Sequence, residues 1–283
     1  MIGRFFRPLV DLMAKRKSKI QLRSGIELEG IRDAGAVAAE ILVRTCELVR
    51  PGVTTGEIDR AAASAMMKLG CVSAFLGYKG FPGHICISVN EEVVHGIGGR
   101  RELIDGDIVK IDVGILSKKG WVGDNAKSVS AGPMPAAAVP LLSATEESLY
   151  AAIARVRAGE YLSTVCASVE NYVGARGFTV VKQFVGHGVG RKLHEEPQVP
   201  NYWDKEEMAS RRFKNPRLEA GMVIAIEPMV NAGTEEVLIL DDKWTVITED
   251  RALSAHFEHM VLVTDGEAEI LTPRERSFAP TTV

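Results

Sequence analysis

Apolar residues recur at helical spacing from Leu28 through Ile31, Gly35, Ala38 and Leu42 to Val49. The preceding Ser24-Gly-Ile-Glu27 has the form of a capping box. This pattern predicts a first helix that stops at Pro51-Gly52. Thr54-Thr-Gly-Glu57 opens a second helix, closed by Gly70. The arrangement then returns. The segments 49–70 and 156–177 are equal in length, and each reads as a helix end, a glycine-containing turn, a second helix and a closing glycine. After each helical pair the pattern changes to strand-like apolar runs, at 109–116 and 120–129 first, then at 222–226 and 260–263. Residues 236–240 and 244–248, separated by Asp-Asp-Lys, read as a β-hairpin. Residues 201–216 are charged and aperiodic and read as a surface loop.

The strands are duplicated as well. Gly106-Asp-Ile-Val-Lys-Ile-Asp112 reappears as Gly221-Met-Val-Ile-Ala-Ile-Glu227, and the run from Asp124 to Gly132 resembles that from Glu258 to Gly266. Two halves follow, about 20–135 and 136–270. Helices followed by strands in each half indicate an α+β fold with antiparallel pairing.

Each half places two carboxylates on strands. A turn centred on Lys118 would set Asp112 directly opposite Asp124, with Cβ atoms about 4.5–5.5 Å apart. Carboxylates that close repel unless one is protonated or a cation lies between them. Taken alone, the pair also fits two exposed aspartates beside a turn. The duplication favours the cation, because Glu227 ends one strongly apolar strand and Glu258 precedes another, where an unpaired charge is costly. His95-Gly-Ile-Gly and His187-Gly-Val-Gly give each half a similar histidine motif, and His194 follows the second. His84, His256 and His259 read as surface or satisfied core residues. Oxygen ligands with one imidazole suit Mn, Fe, Co or Zn better than Ca or a thiolate-bound metal.

Composition adds little to this picture, and charge adds one feature. The 283 residues are 46% hydrophobic and 25% charged, enough for one large core. Four cysteines without CxxC spacing fit reduced thiols and a cytoplasmic setting, and no apolar run reaches the roughly 18 residues of a membrane span. The net charge is −3, yet Met1 to Arg23 holds seven basic residues against one acidic, leaving 27 basic against 36 acidic elsewhere. Several readings of this basic segment stand: an arm that contacts RNA or the ribosome, a disordered solvated tail, or a true start at Met13; scarce serine argues against a mitochondrial-type leader. The implied organisation is a flexible extension at 1–19, one domain at 20–272 and a tail at 273–283.

Several ordered motifs together resemble type I methionine aminopeptidase over about residues 20–272. They are Cys86-Ile-Ser-Val-Asn-Glu-Glu-Val-Val-His95, Gly106 to Asp112, Gly123-Asp124, Gly186-His187-Gly-Val-Gly-Arg, His194-Glu-Glu-Pro, Ile226-Glu227-Pro-Met-Val-Asn and Phe257-Glu258-His. The resemblance implies the pita-bread fold, with pseudo-two-fold halves around an antiparallel sheet. It implies two divalent metal ions held by Asp112, Asp124, His187, Glu227 and Glu258, with Asp124 and Glu258 bridging. Glu227 would also be the general acid/base. His95 would bind substrate and assist proton traffic, and His194 would polarise the scissile carbonyl. Phe75, Tyr78, Phe81, Cys86 and Trp244 would form the methionine side-chain pocket. The implied reaction is attack by a metal-bridging hydroxide, removing N-terminal methionine from nascent chains with a small second residue.

The chain departs from the family at Lys79, where histidine is common, at Leu193 in place of phenylalanine, at Gly98 in place of proline, and in an Asp112–Asp124 spacing one residue longer than in many bacterial members. All five implied ligands survive. Two rival readings share the fold. An Xaa-Pro peptidase would carry a substantial additional N-terminal domain, against the roughly 20 residues preceding this core. A non-catalytic ribosome-associated protein would have lost metal ligands. Neither a membrane nor sequence-specific nucleic acid is implied as a partner.

Overall fold

A computed structural model describes residues 19–211 and 213–278. The basic stretch before Lys19 lies outside the described residues. The first half contains helices α1 (Ile26–Cys46) and α2 (Thr55–Leu69), then strands β1 (Cys71–Ser73), β2 (Cys86–Val89), β3 (Ile108–Ser117) and β4 (Val122–Ser130). The second half opens the same way, with helices α3 (Val139–Ile153) and α4 (Leu162–Gly174), then β5 (Thr179–Val180), β6 (Gly186–Gly188) and β7 (Glu195–Val199). A short helix α5 (Lys205–Ser210) follows, then β8 (Val223–Ile226), β9 (Met229–Asn231), β10 (Val237–Ile239), β11 (Val246–Thr248), β12 (Ser254–His256), β13 (His259–Leu262) and β14 (Glu269–Ile270). The expected hairpin is β10–β11, with Ile239 facing Val246.

Every strand pairing is antiparallel. In one sheet β3 is flanked by β4 on one edge and by β1 and β2 on the other. The other main sheet runs β14-β13-β8-β6-β7. Each carries its own helical pair and its own apolar core, one around Ile31, Leu42, Ile58 and Ile111, the other around Leu149, Val165, Ile224 and Phe257. The two sheets meet where Glu258 N–H donates to the Ala126 carbonyl of β4 at 2.9 Å. This is the pita-bread architecture that the duplicated sequence implies.

Local rules account for both ends of α2 and for the start of α5. Thr54 and Glu57 form the predicted reciprocal capping box of α2, and Gly70 closes that helix at φ 72. At α1 the prediction is corrected. Gly25, at φ 50, is the N-cap residue and no side chain caps the helix. Ser24 therefore sits one position early, and only its carbonyl takes part, accepting from Glu27 N–H. The helix also ends at Cys46, and Val49 reaches the core from the turn that follows. The expected loop at 201–216 contains α5, capped by the Asp204 carboxylate on Glu207 N–H, with Tyr202 and Met208 buried.

The turn after β3 is corrected as well. Pairing is centred on Lys119 rather than Lys118, because Gly120 takes φ 75 and Ser117 N–H closes onto the Trp121 carbonyl. Asp112 consequently faces Ala126, and Asp124 faces Gly114. The shift moves each partner by two residues, so both aspartates stay on one face as diagonal neighbours. Small residues then let α1 settle onto this sheet: a Cβ added at Gly123 would stand 2.2 Å from the Ala34 carbonyl oxygen. Gly123→Ala must push α1 away from the sheet and is expected to destabilise the fold by about 1–3 kcal/mol. Urea unfolding tests this, and an unchanged midpoint would show that the contact is not tight.

Candidate active site

The seam between the sheets forms the floor of a cavity of about 270 Å³. Asp112 projects from the middle of β3, Asp124 from β4 and His187 from β6. Glu227 immediately follows β8 and Glu258 immediately precedes β13. Those two strands pair Ile226 with His259, and one further step of that register sets Glu227 opposite Glu258. The four carboxylates thus come from matching places in the two halves, as a diagonal pair from one and an opposed pair from the other. The walls come from Phe75, Phe81, Cys86, Phe184 and Trp244, and the mouth from Tyr78, Lys79, Leu193 and His194.

Electrostatics mark this floor. Asp124 and Glu258 are buried, while Asp112 and Glu227 keep a small exposed edge. Burial pushes the Asp112 carboxyl up to about 7. Burial also drives Asp124 well above the carboxylate range, reinforced by repulsion from Glu258, Asp112 and Glu227. Glu227 and Glu258 are raised well above their usual range for the same reasons, burial first. Asp112 Oδ1, Asp124 Oδ1 and Glu258 Oε1 are buried without a hydrogen-bond partner among the described residues. Orphaned buried acceptors are uncommon and costly unless a cation satisfies them.

His187 completes the set. Its Nδ1 lies 3.0 Å from the Gly188 carbonyl, which can only accept, so the proton sits on Nδ1 and Nε2 keeps its lone pair. Nε2 lies 3.5 Å from Glu227 Oε1 and 3.8 Å from Asp124 Oδ2. Burial, aided by His194, lowers the imidazole to about 3, so these contacts are not ion pairs. They are too long for good hydrogen bonds and suit ligand atoms sharing one ion, each about 2.0–2.2 Å from it. Ligand atoms of Asp124, His187 and Glu258 lie within 4.8 Å of one another. Oxygen donors with one neutral imidazole fit a divalent metal ion. Cys86 lies beside Asp112, but burial and the neighbouring aspartates hold its thiol protonated, so it adds no thiolate ligand.

His95 and His194 face the same cavity. Burial lowers both to about 4, with Lys79 and, for His95, His194 contributing, so both are neutral near pH 7. His194 stacks on Tyr78, and His95 meets Phe184 and Trp244 edge-on. His95 adopts φ 60 and Lys79 φ 48, left-handed conformations that non-glycine residues adopt mainly where surroundings enforce them.

Every predicted site residue lines this one cavity. The remaining histidines are satisfied elsewhere: His84 by Asp59, His256 by the Pro228 carbonyl, and His259 by Tyr150 and Thr272. Sequence reasoning missed Phe184, which no apolar period marks, and Asn201, whose side-chain amide donates to the Glu227 carbonyl at 3.0 Å. Among the described residues, no helix is long and apolar enough to cross a membrane.

Residues 29–265 match the model of metallopeptidase family M24. The chain is 44% identical over 253 residues to the methionine aminopeptidase of Clostridium perfringens, covering 89% of this chain and 98% of that one. The crystal structure of a methionine aminopeptidase from Thermotoga maritima superposes with a TM-score of 0.85 at 37% identity, covering 90% of this chain and 100% of that one. A prolidase from Pyrococcus furiosus shares the fold at 21% identity and a TM-score of 0.71, covering 90% of this chain and 66% of that one. With the whole ligand-type set in one cavity and these likenesses over most of its length, the chain belongs to metallopeptidase family M24, among its methionine aminopeptidases.

Proposed function

We propose that this cavity removes the N-terminal methionine of nascent polypeptides with a small second residue, using two divalent metal ions. The carrying observation is the convergence of four carboxylates and one neutral imidazole on a floor whose buried oxygens otherwise lack partners. Asp112, Asp124, His187, Glu227 and Glu258 would hold the ions. Four carboxylates exceed what one ion needs for neutrality, which supports a pair. When bound, such ions supply a water of lowered pKa and a Lewis acid for the scissile carbonyl; aminopeptidases are themselves among the enzymes that define this two-metal class. Mn, Fe, Co and Zn all suit these donors.

The residues of the chain do the rest. Phe75, Phe81, Cys86 and Trp244 take up the first side chain and exclude water, and aromatic rings suit a thioether. Tyr78, Lys79 and His194 narrow the mouth and limit the second residue. Glu227, with an affinity for protons raised by burial, takes a proton from the attacking water and delivers it to the leaving amine. His194 donates a hydrogen bond toward the carbonyl oxygen. His95, fixed by Phe184 and Trp244, orients the substrate. Four cysteines without disulfides are consistent with work in the cytoplasm.

Metal removal should show a pH signature. Because the folded values of the carboxyls are raised, the metal-free fold is favoured with them protonated. That stability is lost as pH rises from the ordinary carboxylate range through about 7 at Asp112 and beyond for its neighbours. The chelated protein should therefore melt at lower temperature at pH 8 than at pH 6.5, and Mn²⁺ should raise the melting temperature more at pH 8. Metal-independent melting at both pH values would refute the metal site. Glu227→Gln should lower kcat on Met-Ala-Ser by at least about 100-fold with the far-ultraviolet circular dichroism unchanged; near-normal turnover removes Glu227 from proton transfer. The wild-type protein should release methionine from Met-Ala-Ser and leave Ala-Pro intact, and preference for Ala-Pro would favour an Xaa-Pro peptidase.

A further inference from the structure

A buried guanidinium lies behind the carboxylate floor, on the side away from the cavity. It belongs to Arg274, in the segment expected to be a tail. The described part of that segment is held on either side of Arg274. Thr272 Oγ1 accepts from Met260 N–H of β13, and the Glu146 carboxylate on α3 accepts from Ser277 N–H and Phe278 N–H. Between these anchors Arg274 turns inward, with Nε shut off from solvent.

The contacts of the guanidinium are specific. Nη2 donates to the Ala126 carbonyl at 2.8 Å and to the Glu258 carbonyl at 2.9 Å. Nη1 lies 3.0 Å from His259 Nδ1. Arginine can only donate, so His259 Nδ1 accepts, its proton sits on Nε2, and Nε2–H donates to Tyr150 Oη at 3.0 Å. The Ala126 carbonyl also receives Glu258 N–H, the bond that joins the two sheets. One nitrogen therefore spans both sides of this seam. Ala126 lies two residues beyond Asp124 on β4, and Glu258 leads into β13. The two backbones that Arg274 joins present, on the other side, the two carboxylates grouped with His187.

We infer that Arg274 is a positioning residue, which sets the separation of Asp124 and Glu258 by tying their two strands together from behind. This inference rests on the reading of the floor as a metal site. The reason for an arginine is geometric. The guanidinium holds its donors in a fixed plane, so two carbonyls from different halves and an imidazole are held at once. A lysine in its place would keep the charge and lose the fixed directions. Contacts of this kind, one step removed from the ligands, typically govern metal affinity by about 10–100-fold.

The test uses the full chain, stripped with a chelator and titrated with Mn²⁺ by calorimetry at a temperature where every variant is folded by circular dichroism. Arg274→Met should bind Mn²⁺ about 10–100-fold more weakly than wild type, with kcat on Met-Ala-Ser reduced and KM within about threefold. Arg274→Lys should follow Arg274→Met, and it carries the test alone if Arg274→Met does not fold. Thr54→Ala, which loses only a remote helix cap, serves as the control for general destabilisation and should keep wild-type affinity. The inference fails if folded Arg274→Met binds Mn²⁺ within threefold of wild type, if Arg274→Lys restores full affinity, or if Thr54→Ala weakens binding equally. If the wild-type protein itself binds no Mn²⁺, the metal-site reading falls first.

Discussion

Four carboxylates confined to one buried cavity are the constraint on which the rest of this structure depends. Each loses hydration on burial, and each raises the cost of ionising the next, so without a cation the floor holds its protons far above their ordinary range. Such an arrangement persists only if rigid backbone holds it. Strands supply that backbone. Each half contributes a pair of antiparallel strands with one carboxylate apiece, and the hydrogen bond from Glu258 to Ala126 locks one pair against the other. The helices serve the same end from outside, where α1 comes close enough to Gly123 to leave no room for a side chain beside Asp124.

The duplication does more than double the number of carboxylates. In the second half the carboxylates leave the ends of β8 and β13 opposite each other, where Glu227 keeps a small exposed edge. In the first half Asp112 and Asp124 lie within the strands, and Asp124 faces Gly114, whose missing side chain admits the Phe75 ring. The first half therefore brings the apolar wall up against Asp124, while one carboxylate of each half, Asp112 or Glu227, keeps an edge toward the cavity. Binding of an apolar side chain and proton transfer call for these two different surroundings.

Much of this was legible because it rests on local or periodic rules. The helical pairs, the capping box at Thr54, the hairpin and the repeated glycine-to-carboxylate strands all follow from spacing. What escaped depends on geometry that no spacing encodes. The register at Asp112 turned on Gly120 entering the left-handed region, which moved the turn centre by one residue. The start of α1 turned on Gly25 taking the capping position from Ser24. Residues 201–216 looked like a loop because a six-residue helix is too short to display a period, although Asp204 and Glu207 carry its cap. Phe184 and Asn201 act at the site through tertiary contacts alone, and nothing adjacent in the chain signals them.

The same distinction explains why left-handed backbone occurs around the cavity, at Lys79 and His95, and not at the carboxylates of its floor. None of Asp112, Asp124, His187, Glu227 and Glu258 takes a positive φ, although β6 carries an irregularity between His187 and Gly188. His95 and Lys79 instead sit in left-handed conformations, His95 on a loop and Lys79 within a 3-10 turn at Tyr78–Gly80, and both line the cavity. A side chain that must meet an incoming chain from above cannot be supplied by a strand whose residues alternate between core and floor. A loop can supply it, but only by bending sharply, and for a residue with a Cβ that bend costs about 1–3 kcal/mol. The surrounding rings pack against the result: Phe184 and Trp244 hold His95 edge-on, and the Lys79 ammonium lies 5.3 Å from the centre of the Tyr78 ring. Strain in these connections is thus a consequence of building the floor from strands, and the rings of the apolar wall also keep that strain in place.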